Sequence, residues 1–396
     1  MYLKKLAAPN IDQNYYCLIL VGAMKRFTLL LCFFVLLPLP AYAASPQVIQ
    51  SEKVTFSLEE ITDGLVVPWG LAFVADTRIL ITERVGDIRL LDTQRKTLTD
   101  IQGAPAVLAE GQGGLLDVAV PPDYRAGDWI YFTFVRDRGG EGVTVLARAK
   151  LQSNKLVQWQ DLLETRSATD TGRHFGSRIA FDEKGYVYFG VGDRGERPTA
   201  QDRSNHAGSV MRLFRDGRVP PDNPYVQRGE GLPEIWSYGH RNPQGMAYDA
   251  AHKRLWLIEH GPRGGDEINR VLPGRNYGWP EISYGKEYWG PIAVGEGTHR
   301  EGMEQPVKQY TPSIAPGSLL LYSGESFPAW RGNLFAGALK LRHLNRVTLD
   351  EGGQVIGEER LLEKLNERIR ALAQDSRGWL YFSTDSGRIY VIKPAG

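Results

Sequence analysis

Six times along the chain, a short apolar strand pattern runs through a tight polar turn into a second apolar strand. The pairs are Trp69-Gly-Leu-Ala-Phe with Arg78-Ile-Leu-Ile-Thr, Gly114-Leu-Leu-Asp-Val-Ala-Val with Trp129-Ile-Tyr-Phe, and Ser177-Arg-Ile-Ala-Phe-Asp with Gly185-Tyr-Val-Tyr-Phe. They continue as Gly245-Met-Ala-Tyr-Asp with Arg254-Leu-Trp-Leu-Ile, Ser318-Leu-Leu-Leu-Tyr with Asn333-Leu-Phe-Ala, and Ile369-Arg-Ala-Leu-Ala-Gln-Asp with Gly378-Trp-Leu-Tyr-Phe. Most units add a third strand, as in Gly86-Asp-Ile-Arg-Leu-Leu, Asp266-Glu-Ile-Asn-Arg-Val and Gly387-Arg-Ile-Tyr-Val-Ile. Alternating apolar residues bounded by Gly, Asp and Pro are hairpin signals. The second strands begin near 78, 129, 186, 254, 333 and 378, a spacing of 45 to 79 residues. That recurrence predicts an all-β fold, a six-bladed β-propeller with four-stranded antiparallel blades and unequal loop insertions. An ordinary β-sandwich with accidental similarity between units is the competing architecture. The segment from Lys53 to Glu60 alternates without a partner of its own and would close the ring in the last blade. Functional residues then belong on the insertions at 160–178, 192–243, 260–312 and 338–346.

The N-terminus reads differently. Met24-Lys25-Arg26, an apolar run over 27–37, Pro38, Pro40 and Ala41-Tyr42-Ala43 have the layout of a secretory signal peptide, with Met24 a candidate start. Cleavage after Ala43 would leave a single domain over 44–396, with periplasmic or secreted localisation. Both cysteines, Cys17 and Cys32, would leave with the leader, so neither disulfides nor thiol chemistry is expected. Lys+Arg 47 against Asp+Glu 46 is a near-neutral balance that implies no nucleic-acid partner. After cleavage the formal charge would be −2. No later stretch reads as a membrane span, and the chain is expected to be a monomer.

Zinc signatures, a Gly-x-Ser-x-Gly elbow and a phosphate-binding loop are all missing, which leaves four loop clusters as candidate chemistry. His174, in Gly172-Arg-His-Phe-Gly-Ser-Arg, is either a structural hydrogen-bonder or a base. A hairpin could bring Asp193 back to orient its imidazole. Gly239-His-Arg-Asn-Pro-Gln-Gly245 is a polar stretch entering an apolar strand. His260-Gly-Pro-Arg-Gly-Gly-Asp-Glu267, continuing to Asn276-Tyr-Gly-Trp-Pro280, sets carboxylates beside free carbonyls. Such oxygens suit calcium, and equally stabilise turns. Lastly, Arg368 and Arg370 alternate with Ile369 and so share a strand face; with Lys340 they form a basic trio. Such a trio either holds a multiply anionic ligand or is an exposed basic edge.

Taken in order, Gly111-Gln-Gly-Gly-Leu-Leu, Gly239-His-Arg-Asn-Pro-Gln-Gly, Gly265-Asp-Glu-Ile-Asn and Asn276-Tyr-Gly-Trp-Pro resemble the soluble quinoprotein sugar dehydrogenases. These enzymes use pyrroloquinoline quinone (PQQ) and Ca2+, and the resemblance is stronger to the shorter aldose sugar dehydrogenases. It implies oxidation of an aldose at C1 to the lactone, with electrons passed to an unidentified acceptor. It makes His174 the general base, Asp193 its partner and Gln112 a pocket residue, with Arg241 and Asn242 on the quinone. Lys340, Arg368 and Arg370 would hold the cofactor's carboxylates. The carbonyls of Gly261 and Pro262 would ligate the catalytic calcium with Asp266 close behind, and Glu267, the Tyr277 carbonyl and Glu287 a structural one. The loop Tyr310-Thr-Pro-Ser-Ile-Ala-Pro316 matches the aromatic gate of the glucose enzymes poorly, and the Asp193 loop diverges after Arg194, where Gln201 would be a contact. Both departures favour a broad aldose range. A calcium-dependent lactonase-type hydrolase would also want carboxylates, His and calcium, but not the basic trio. A non-catalytic periplasmic binding propeller would hold PQQ without turnover.

Overall fold

The first strand of each repeat is the wall of a central channel. A computed structural model describes residues 47–395, so the leader read at 1–43 lies outside them. Six antiparallel sheets follow one another around a ring. Blades 1 to 5 cover 68–100, 115–164, 179–238, 243–310 and 316–361, with four strands each. Blade 6 joins the strands of 369–394 to Thr55–Thr62, as the unpartnered alternating segment predicts. The closing strand lies two residues further along than read and runs from Phe56 opposite Pro394 to Thr62 opposite Ile389. Gln47–Gln50 then adds a fifth strand that carried no alternating pattern. Among the described residues no helix is long and apolar enough to cross a membrane.

Each of the six blade interfaces has its own apolar cluster. Phe132 and Phe134 fill the first, Tyr131 and Phe189 the second, Tyr188 and Leu257 the third, and Trp256 and Leu334 the fourth. Trp330 and Phe382 fill the fifth, and Tyr381 with Ile79 the sixth, which closes the ring. Fully burying a side chain of this size is worth about 1.5–3 kcal/mol, so blade-to-blade packing is the main source of cohesion.

One arginine ties the inner strands together. Arg178, just before Ile179–Phe181 of blade 3, donates to the carbonyls of Trp69, Gln244, Gly317 and Arg370 and to Asp117 Oδ1 at 2.8 Å. Those partners lie on the first strands of blades 1, 4, 5, 6 and 2, so one guanidinium touches every blade but its own. Asp117 Oδ2 returns the contact by accepting from the Ile179 N–H at 2.8 Å. The pair is almost fully buried, at 7% and 9% side-chain exposure.

Candidate active site

The long loops gather at one mouth of the channel around a cleft of about 390 Å³. Gln112, His174, Asp193, Arg197, Arg241 and Trp279 are among the residues that line it. His174 stands on the loop into blade 3 with a positive φ of 59°, a left-handed backbone uncommon for a residue with a side chain. Several contacts hold it there. Its N–H donates to Gln112 Oε1 at 2.9 Å, while the Gln112 N–H donates to Gly172 O at 2.7 Å. The crossing of these segments is so close that a Cβ on Gly111 would sit 2.1 Å from Gly172 O, which explains the glycine. Arg194, fully buried over the Phe175 ring at 3.4 Å, donates to the carbonyls of Thr171 and Arg173 and so pins the same loop.

Asp193 follows the second strand of blade 3, and the hairpin returns it to His174 with Nδ1 and Oδ1 2.6 Å apart. Trp279 Nε1–H donates to Asp193 Oδ2 at 2.7 Å and the Gly195 N–H to Oδ1 at 2.7 Å. Burial opposes the charge of Asp193, but the His174 hydrogen bond and charge, Arg241 and the Gly195 N–H outweigh it and hold the carboxyl below its usual value. An ionised carboxylate can only accept, so Nδ1 carries the imidazole proton and Nε2 keeps a free lone pair. Burial, helped by the Arg241 charge and opposed by Asp193, also pushes the His174 pKa below its ordinary value. The imidazole is therefore neutral near pH 7 and able to take a proton.

Arg241 reaches the same cleft from the start of blade 4, and Asn242, next in the chain, is fully buried. Arg241 is anchored by its N–H to Glu259 Oε2 at 2.6 Å and lies over the Trp279 ring at 5.3 Å. Arg241 Nε and Asn242 Nδ2 are buried donors with no protein partner. Leaving a buried donor unpaired costs about 1–3 kcal/mol, a cost that a ligand rich in acceptor oxygens would relieve. The quinone and carboxylate oxygens of PQQ are acceptors of that kind, so the residues present fit the cofactor.

The acidic loop forms a second, much smaller cavity of about 20 Å³ beside the cleft, lined by Glu259, Gly261, Glu267 and Tyr277 among others. Burial, followed by the Glu259 charge, pushes the Glu267 pKa up to about 8. Two carboxylates facing a space little larger than one ion suit a hard cation. Among the described residues no three His, Cys, Asp or Glu side chains converge as a metal cluster, so a cation here would depend on backbone carbonyls. Gly261 lines the cavity, and a Cβ there would meet Gly265 O at 2.2 Å, so only glycine fits the tight loop. Asp266 is spent on scaffolding. It accepts from the Gly261 N–H at 2.9 Å, Ser313 Oγ at 2.8 Å and the Ala315 N–H at 2.9 Å.

Other expected residues are placed differently. Glu287 lines the large cleft rather than the small cavity, and both its oxygens accept from Arg197, at 2.6 and 2.7 Å. The Pro262 carbonyl accepts from Tyr288 Oη at 3.1 Å. Gln201 donates to Trp279 O at 2.7 Å and braces the 276–279 loop from behind. Tyr310 is buried and donates to Asn345 at 2.8 Å, while Thr311 and Pro312 after it are exposed. Arg368 and Arg370 share a face, but an internal anion answers them: Asp385 accepts from both, at 2.7 to 2.9 Å. Lys340 is exposed on the rim of a separate cavity of about 380 Å³ with Arg263 and Lys286. Arg197, Trp279, Tyr288, Trp289, Glu259 and Asp385 carry no motif of their own. Only the Asn276-Tyr-Gly-Trp-Pro stretch marked one of them.

Comparison with known proteins agrees with this architecture. Residues 65–391 match the family model for glucose/sorbosone dehydrogenase. The aldose sugar dehydrogenase of Escherichia coli is 39% identical over 347 residues, covering 86% of this chain and 93% of that protein. A crystal structure described as glucose dehydrogenase superposes with a TM-score of 0.82 at 42% identity, covering 86% of this chain and 99% of its own. The PQQ-bound aldose sugar dehydrogenase of Streptomyces coelicolor gives 0.70 at 26% identity, covering 88% and 99%. The chain thus belongs to the glucose/sorbosone dehydrogenase family of sugar oxidoreductases.

Proposed function

We propose that the protein is a PQQ- and Ca2+-dependent aldose sugar dehydrogenase that oxidises C1 of an aldose to the lactone. The observation that carries this reading is the buried His174–Asp193 pair, at 2.6 Å, in one cleft with Arg241, whose buried Nε has no protein partner. When bound, PQQ supplies a quinone carbon that accepts hydride and Ca2+ supplies Lewis acidity at the quinone oxygen. Every other part of the reaction falls to the chain. His174 Nε2 takes the C1 hydroxyl proton as the C1 hydrogen departs with its electron pair, and Asp193 stabilises the resulting imidazolium through Nδ1–H. Arg241 Nε and Asn242 Nδ2 would donate to the cofactor's oxygens, and Arg370, stacked at 4.3 Å over Trp69, would hold a carboxylate with Arg368, while Lys340 stands on the rim of a separate cavity. In the small cavity the Gly261 carbonyl, Glu267 and the Tyr277 carbonyl would hold one calcium on the Asp266 scaffold; the Pro262 carbonyl is engaged by Tyr288, and Glu287 shapes the cleft wall instead. The electrons then leave to an acceptor outside the protein. A monomeric enzyme exported to the periplasm or the medium accords with this role.

Reconstituting the protein with PQQ and CaCl2 and assaying dye reduction with several aldoses tests the proposal. Turnover that requires both additions is expected, together with quinone absorbance that stays with the protein. Failure of every aldose to reduce the dye would overturn it.

A further inference from the structure

Tyr288 and Trp289 are 65% and 75% exposed, a costly presentation for two adjacent aromatic rings. They stand at the tip of the loop over 285–294 and line the same cleft as His174. The loop is fastened at several points. Glu287 is clamped by Arg197, its N–H donates to Ile292 O at 2.8 Å, Tyr288 Oη donates to Pro262 O at 3.1 Å, and Lys286 bridges to both Arg263 and Ala293. A ring held out on a braced loop has given up freedom before any ligand arrives, and that lowers the entropic cost of stacking.

We infer that Trp289, assisted by Tyr288, forms an outer sugar subsite that stacks a second ring when the reducing end of an oligosaccharide enters the cleft. This rests on the reading of the cleft as an aldose site. The chemistry favours a sugar. The C–H face of a pyranose carries slightly positive hydrogens that match the negative face of an aromatic ring. Arg173 and the Arg197–Glu287 pair line the same wall and offer donors and acceptors to hydroxyls at the ring's edge. The substrate class that fits is therefore a short oligosaccharide with a free reducing end, with Trp289 setting chain-length preference.

The test is calorimetric titration of the Ca2+-loaded protein holding PQQ already reduced to the quinol, so that no sugar is oxidised, using glucose and maltotriose on wild type, Trp289→Ala and Trp289→Phe. A stacking contact of this type corresponds to roughly a two- to tenfold change in affinity. The expected result is that Trp289→Ala raises the Kd for maltotriose by that factor relative to its effect on glucose, and that Trp289→Phe restores most of it. Equal changes for both sugars, or no change in either, would overturn the subsite and leave the patch to another partner, such as a protein electron acceptor. Because binding is read without turnover, a protein that reduces no dye with any aldose would sink the oxidation reading without altering this comparison.

Discussion

Replacing Arg178 with Met removes five hydrogen bonds and nearly nothing of the side chain's volume, so its cost is a measure of how far one group holds the ring together. Arg178 and Asp117 are 7% and 9% exposed, and breaking such a buried pair from one side costs about 3–5 kcal/mol. The four carbonyls it serves are less exacting. The channel opens onto a cavity of about 280 Å³ that both residues line, so water can replace the lost donors there. The expected loss is then about 4 kcal/mol, against a total stability of about 5–15 kcal/mol. In guanidinium chloride, with m of roughly 4 kcal/mol/M for a chain of this size, the midpoint should fall by about 1 M. The loss should also depend on pH. Burial already pushes the Asp117 carboxyl up, and without Arg178 it rises further. A carboxyl raised in the folded state costs nothing below its unfolded value of about 3.9 and progressively more as pH rises through its folded value. The deficit of Arg178→Met should therefore shrink as the buffer approaches pH 4, and adding Asp117→Asn should recover part of it at pH 7. A loss under about 1 kcal/mol at pH 7, or one that does not change with pH, would refute the keystone argument.

Asp193→Asn should lower kcat for dye reduction by about 10²- to 10⁴-fold while PQQ absorbance stays with the protein, because the imidazole loses its orienting carboxylate. In wild type, kcat/KM should fall as pH drops through a His174 pKa that burial holds below the ordinary value of about 6.5. In the variant that acidic limb should move lower still, since Asp193 is the group that raises the imidazole. Metal-free protein should lose stability as pH rises from about 4.5 through the raised Glu267 value of about 8, the direction required when the folded state favours the protonated form. Calcium needs the carboxylate, so thermal unfolding with CaCl2 against EDTA should show a larger gain in Tm at pH 8.5 than at pH 5.

The ring was legible because the first two strands of each blade are mostly buried and bounded by turn residues. Leu115–Ala119 and Leu380–Thr384 carry that pattern openly. The outermost strands were not legible. Thr97–Asp100 and Lys308–Tyr310 are three or four residues long and largely solvated, so neither apolar alternation nor length marks them. The His174–Asp193 pairing could be anticipated from a hairpin alone, since strands that pair antiparallel return their ends to each other. Glu287 could not be placed in the same way. A carboxylate in a loop is claimed by whichever cation the fold brings near, and here Arg197, 90 residues away in sequence, reaches it first.

The basic trio marks the boundary between these two kinds of inference. Two arginines on one strand face demand an anion, and that demand follows from Coulomb repulsion in any fold. Its source does not, because Asp385 is delivered by the neighbouring strand of the same blade, where its N–H donates to Arg368 O at 3.0 Å. One carboxylate serves two guanidiniums, so the face keeps a positive charge. Arg370 is buried enough for desolvation to push its pKa down despite Asp385, which means the anion supplied by the chain does not fully offset its burial. The unmet part of that demand is what a second anion from a ligand would satisfy.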